Sequence, residues 1–223
     1  MERKDEIIFR HITIDGVVKS GKTKLANALA EKIGGRLTFD KLENPYLKDF
    51  YEEKEGAAFL TQLVFLVNRY HQQSGLMQRS LFDERIICDY IFEKDKIYAY
   101  QTLTDDELIV YEKIYSVFSE RISRPDLTIY LQISLPVLMR KIEKEGSELE
   151  KNISEKYLED IVEAYDYFFF NYQATPLLVV KSDNLDFRRD EDVEDLIEKI
   201  FQMKKDTLYY VPLSQATKGL KEK

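Results

Sequence analysis

Eight consecutive residues, Gly16-Val17-Val18-Lys19-Ser20-Gly21-Lys22-Thr23, leave this chain little choice of fold. Glycines at Gly16 and Gly21 let backbone N–H groups converge on one point without Cβ clashes. The apolar run Ile7 to Ile14 before them reads as a buried strand ending at Asp15-Gly16. After them a helical pattern begins near Lys22 and runs to about Ile33, where Gly34-Gly35 closes it. Strand, glycine loop and helix in that order make a phosphate cradle. The helix N-terminus adds its positive dipole, Lys22 can neutralise terminal phosphates and the Thr23 hydroxyl can ligate Mg²⁺. The bland alternative is a glycine turn with an accidental lysine, with Lys19 a solvated charge.

The rest of the chain repeats the alternation. Strands are expected at 36–39, 85–88, 126–133 and 177–180, and helices at 57–78, 103–121, 135–144, 156–172 and 193–203. Asn44-Pro45 opens a further helical stretch, and Gly146-Ser147 interrupts the chain after the 135–144 helix. This predicts an α/β protein with the P-loop kinase fold: a five-stranded, mainly parallel sheet with helices on both faces and a helical lid. With 223 residues the chain suits a single domain over 1–206, with the lid at about 140–153 and a basic, weakly patterned tail at 207–223. A net charge of −8 argues against nonspecific binding to nucleic acid or anionic membranes. Cys88 is the single cysteine, and the charged N-terminus lacks a long apolar run, so the expected location is the cytoplasm.

A carboxylate at the end of a sheet strand can hold Mg²⁺, and Asp89 ends the strand at 85–88; a plain turn aspartate is the alternative. Gln62 and Arg69 lie seven residues apart, on one face of the helix at 57–78. A Gln amide and an Arg fork suit a purine edge, but both residues are also ordinary on an amphipathic surface.

Five segments occur in one order. They are Glu43-Asn44-Pro45-Tyr46-Leu47 with Phe50-Tyr51, Gln62 with Asn68-Arg69-Tyr70, Cys88-Asp89-Tyr90-Ile91-Phe92 with Asp95-Lys96, Pro125-Asp126-Leu127 with Tyr130-Leu131, and Asp183-Asn184-Leu185-Asp186-Phe187. Together they resemble the deoxynucleoside kinase family, in particular its bacterial deoxyadenosine/deoxyguanosine branch, from about Ile12 to Phe201. The resemblance implies transfer of the ATP γ-phosphoryl group to the 5′-hydroxyl of a deoxynucleoside, purine-preferring, with Mg²⁺ held by Thr23 and Asp89. It implies that Tyr51 and the lid residue Glu150 touch the sugar 3′-hydroxyl, that Gln62 and Arg69 read the base, and that Asp95 fixes that arginine. Asp186 and Phe187 lie where the adenine of ATP is expected; Phe187 is equally a core aromatic. A homodimer through long helices, with apolar surface at 57–78 and 156–172, is implied as well.

The family places an acidic general base just after the second strand. Here Asp40 aligns best, and Glu43 is the rival. An arginine of the family's third-strand segment is absent, because this chain reads Asp89-Tyr90-Ile91 there. The lid also departs: Lys141 matches the first lid arginine, while Glu145 and Ser147 replace the later two. Lysine keeps the charge but loses bidentate phosphate geometry, which implies slower catalysis or a differently built lid. Two other readings stay open. A nucleoside monophosphate kinase would need further acceptor-side arginines, with Arg85 the one additional candidate. A kinase-fold binding partner would explain the weakened lid.

Overall fold

The computed structural model describes residues 8–79, 85–204 and 206–212. Ile7, expected to open the first strand, and residues 213–223 of the expected tail lie outside the described residues. In chain order the elements are β1 (His11–Asp15), α1 (Lys22–Ile33), β2 (Arg36–Thr38), α2 (Leu47–Tyr51), α3 (Ala57–Arg79), β3 (Ile86–Cys88), α4 (Lys94–Thr102) and α5 (Asp105–Ser119). They continue with β4 (Leu127–Gln132), α6 (Leu135–Glu145), α7 (Glu148–Lys151), α8 (Glu155–Phe170), β5 (Leu177–Lys181), α9 (Asp190–Gln202) and β6 (Thr207–Tyr210).

The sheet has six strands in the order β2-β3-β1-β4-β5-β6, and every described pairing is parallel. The expected count of five is therefore corrected. Residues 207–210, expected to begin a tail, pair with β5 in the register Leu177↔Thr207 to Val180↔Tyr210 and form the sixth, edge strand.

β1 sits centrally, with all five residues buried. Helices α1 and α9 cover one face, where Leu25, Leu29, Leu196 and Ile200 pack on Ile12, Ile14, Ile129 and Val180. On the other face α6 and α8 pack over β4 and β5. There Tyr130 stacks on Phe169 with centroids 4.1 Å apart, a contact worth about 0.5–1.5 kcal/mol beyond its area burial. A separate cluster of Leu66, Phe92, Tyr111 and Tyr115 joins α3, α4 and α5. Because the strands are parallel, the loops after β1, β2 and β3 leave the sheet at one end. That brings the glycine loop, Asp40 and Asp89 together.

Candidate active site

Buried carboxyl Asp15 pins the glycine loop. Its Oδ1 accepts from Gly16 N at 2.6 Å, and its Oδ2 accepts from Ile91 N at 2.9 Å, tying the loop to the segment after β3. Gly16 has φ +152°, and a Cβ there would meet the Leu131 carbonyl oxygen at 2.6 Å, so only glycine fits. Gly21 is the N-cap of helix α1, which has no side-chain cap and no acidic residue in its first turn, leaving its N–H groups for an anion. Lys22 Nζ donates to the carbonyls of Gly16 and Val17 at 2.7 and 2.9 Å. Burial and the nearby charge of Lys94 push the Lys22 pKa down to about 8. Lys19 is no solvated charge: it pairs with Glu150 of α7 at 3.0 Å, joining the glycine loop to that helix.

Asp89 couples this half to the next. Thr23 Oγ1 donates to its Oδ2 at 2.5 Å, and Asp40 N donates to its Oδ1 at 2.7 Å. Thr23 and Asp89 thus present adjacent hard oxygens, the donor chemistry that Mg²⁺ requires.

Asp40 lies in a buried charge cluster. Arg69 grips it with Nε and Nη2 at 2.9 and 2.8 Å, and Lys94 Nζ reaches Oδ2 at 3.0 Å. Arg69 Nη1 also donates to Asp95 Oδ1. No side chain of the four exceeds 6 % exposure. Burial works against the charge on Asp40, but Arg69 and Lys94 outweigh it and hold the carboxyl well below the usual range. Burial dominates at Asp95 and pushes it up to about 6 despite Arg69.

Gln62 and Arg69 both turn inward on α3, and Gln62 Nε2 donates to Thr102 Oγ1 at 3.3 Å. The surface alternative for this pair is thereby removed. Among the described residues, three of the five guanidinium N–H groups of Arg69 go to Asp40 and Asp95, and two remain. Asp95 Oδ2 is buried without a hydrogen-bond partner among the described residues. Tyr51 sits close enough to Glu150 and Tyr98 for their charges, after burial, to help raise its pKa to about 12.

Other expected residues are placed differently. Glu43 is exposed, and what it offers α3 is its backbone carbonyl, accepting from Asn68 Nδ2 at 3.4 Å. Phe187 is a core residue, 6 % exposed, whose ring backs Gly21 at the foot of the phosphate loop. Asp186 is held by Arg188, with Nε and Nη2 at 2.8 and 2.6 Å, and that hydrogen bonding takes its pKa down to about 2. Lys141 on α6 has its pKa lowered by burial, then by Lys24. Glu145, expected to stand where a lid arginine would, pairs with Lys24 at 3.2 Å. Arg85 is structural: it binds the carbonyls of Phe9 at 3.1 Å and Ile33 at 2.5 Å, beyond the N-terminal end of β3. Asp15 and Lys94 escaped the reading of the sequence. A strand-ending aspartate before the glycine loop was a usable signal for the first; Lys94 had none, lying in the charged run Glu93-Lys94-Asp95-Lys96.

The deoxynucleoside kinase family profile matches residues 12–204. The chain belongs to that family. It is 35% identical over 182 residues to a deoxyguanosine kinase of Bacillus subtilis, covering 79% of this chain and 88% of that one. It is 27% identical over 196 residues to a deoxyadenosine/deoxycytidine kinase of the same organism, covering 85% and 90%. Among solved structures, deoxyadenosine kinase from M. mycoides with bound dCTP superposes with TM-score 0.71 at 25% identity, covering 86% of this chain and 98% of that one. The chain is accordingly an ATP-dependent kinase acting on the 5′-hydroxyl of deoxynucleosides, and the monophosphate-kinase and binding-partner readings fall away. Among the described residues, no helix is long and apolar enough to cross a membrane.

Proposed function

We propose that this kinase prefers purine deoxynucleosides and that Asp40 is its general base. The observation that carries the reading is Asp40 itself: buried, clamped by Arg69 and Lys94, and linked through Asp89 to Thr23 of the phosphate loop. It stands between the phosphate-binding half and the base-reading helix. Its depressed pKa keeps it ionised at neutral pH, ready to orient the 5′-hydroxyl and take its proton. As the new O–P bond forms, the bond between the γ-phosphorus and the β-bridging oxygen breaks, and ADP leaves with the released electron pair. A loose phosphoryl-transfer transition state asks mainly for positioning and electrostatic stabilisation, so a weakly basic carboxylate serves.

Thr23 and Asp89 would hold Mg²⁺, which offsets phosphate charge when bound. The purine preference is supported by the unspent groups of the reader. Two Arg69 N–H donors, the free Asp95 Oδ2 acceptor and the Gln62 amide oxygen offer donors and acceptors together, as a purine edge needs. It is supported too by the names of the relatives, a deoxyguanosine kinase and a deoxyadenosine/deoxycytidine kinase. Tyr51 and Glu150 are assigned to the sugar 3′-hydroxyl, and residues 140–153 to the lid, which Lys19 tethers through Glu150. The kinase domain, expected over 1–206, is read as extending through β6 at 207–210, which completes its sheet edge. A homodimer is inferred through α3 and α5, where Leu60, Val67, Ile109, Val110 and Val117 are exposed. Of the expected 156–172 face, most packs inward on α8, leaving Tyr167 and Phe170 outside.

Steady-state kinetics with the four deoxynucleosides test the reading. Asp40→Asn should lower kcat about 10²- to 10⁴-fold, and Glu43→Gln should leave it within about threefold. A pyrimidine with the highest kcat/KM, or the reverse order of the two variants, would sink it.

A further inference from the structure

We propose that Lys94 is a positioning residue for the phosphoryl transfer, holding Asp40 from the donor side while Arg69 holds it from the acceptor side. The inference rests on the assignment of Asp40 as the base. A lysine with a side chain 6 % exposed is costly to keep, and local structure gives no reason for it. Lys94 is the first residue of α4, where a cation opposes the helix dipole. Its neighbours show what it serves. Nζ lies 3.0 Å from Asp40 Oδ2 and 5.9 Å from the centroid of the Tyr98 ring. Burial opposes its charge, but Asp40 and then Asp15, the aspartate that pins the glycine loop, outweigh it. Lys94 also lies near enough to Lys22 of the glycine loop for its charge to help lower the Lys22 pKa.

The division of labour follows from the hydrogen bonds. Arg69 must satisfy Asp95 as well as Asp40, and its position is set by the reader helix. Left to Arg69 alone, Asp40 would follow every adjustment that the base imposes. Lys94 anchors the second side of the same oxygen, Oδ2, from a different helix.

The test is a double-mutant cycle on the full chain, reading kcat, KM for ATP and deoxyguanosine, ATP affinity by calorimetry, and thermal unfolding. Lys94→Met should lower kcat roughly 10²-fold, as a misplaced base does, with ATP affinity within about threefold of the parent. Lys94→Arg should recover at least about a tenth of the parent kcat, since a cation of similar reach is restored. In the Asp40→Asn background Lys94→Met should cost less than about threefold, because the group it positions is gone. If Lys94→Met does not fold, Lys94→Gln replaces it in the cycle. The proposal is overturned by a Lys94→Met kcat within about threefold of the parent, by Lys94→Arg as slow as Lys94→Met, or by equal costs in both backgrounds. A fast Asp40→Asn enzyme would instead remove the base assignment and this inference with it; a slow Asp40→Asn beside a fast Lys94→Met removes this inference alone.

Discussion

Arg69→Met strikes the charge cluster at its centre. The guanidinium makes two hydrogen bonds to Asp40, at 2.9 and 2.8 Å, and one to Asp95. Formal charges in the cluster cancel, Arg69 and Lys94 against Asp40 and Asp95. Methionine preserves bulk beside the Phe65 ring, which the guanidinium overlies at 5.0 Å, but leaves one negative charge too many. A hydrogen bond to a charged group is worth about 1.5–3 kcal/mol, but three in one network do not add. The cost should be that of orphaning a buried ion, about 3–5 kcal/mol. At about 2–4 °C per kcal/mol for a chain of this size, Tm should fall by roughly 6–20 °C.

The deficit should depend on pH, and its sign can be worked out. Burial already pushes Asp95 up to about 6, and loss of Arg69 pushes it higher. A carboxyl whose folded pKa exceeds its unfolded one subtracts stability above the folded pKa and nothing below the unfolded one. The deficit of Arg69→Met should therefore shrink as the pH falls from about 7 to about 5. Adding Asp95→Asn removes the surplus charge and leaves Asp40 with Lys94. Stability should return to within about 1–2 kcal/mol of the parent, while kcat/KM stays lost with the reader. Urea and thermal unfolding followed by circular dichroism measure the first quantity and a coupled ADP assay the second. A loss below about 1 kcal/mol, or no recovery in the double variant, refutes the cluster as a charge-balanced unit.

Three further outcomes are expected. Gly16→Ala places a Cβ 2.6 Å from a backbone oxygen at φ +152°, so it should cost roughly 1–3 kcal/mol and abolish ATP binding in calorimetry. Arg85→Met removes hydrogen bonds to the Phe9 and Ile33 carbonyls; Tm should drop by roughly 2–12 °C while KM for the deoxynucleoside stays within about twofold. Glu150→Gln breaks a partly exposed pair with Lys19 and should move Tm by under about 3 °C, yet raise KM for the deoxynucleoside about tenfold. An unchanged KM would remove Glu150 from the sugar site.

What could be read beforehand was what local chemistry dictates. The glycine loop and α1 stood out because glycine spacing, strand and helix are contiguous, and the helix runs from Lys22 to Ile33 as expected. The inward pair Gln62 and Arg69 was visible as helical spacing, though spacing alone could not say which way the face turns. The misses are non-local. Helix α4 carries Lys94 in a run that looks solvated; it is buried because Asp40 neutralises it from 54 residues away, whereas Asp95 beside it is the residue expected to hold Arg69. β6 is four residues of alternating exposed and half-buried positions, made a strand by the edge of β5 and by the core on which Leu208 and Tyr210 pack. Phe187 was balanced between adenine contact and core because its neighbour Gly21 lies far away in sequence.

The arginine-poor 140–153 segment, proposed as the lid, takes on a different meaning beside this cluster. Phosphoryl transfer needs positive charge around three oxygens, and the charge need not come from above. Glu145, the most awkward substitution, has Lys24 as its partner, so its charge is answered on the α1 side. Lys141 remains on α6, with its pKa lowered by burial, then by Lys24, a setting from which an ammonium gains most by meeting an anion. Lys22 is likewise depressed, by burial and by Lys94. Lys22 and Lys141 are partly buried cations, and an incoming triphosphate would raise their lowered pKa values again. The positive charge that arginines do not supply in the 140–153 segment is thus available from Lys22 on α1 and Lys141 on α6, cations positioned during folding instead of during the reaction.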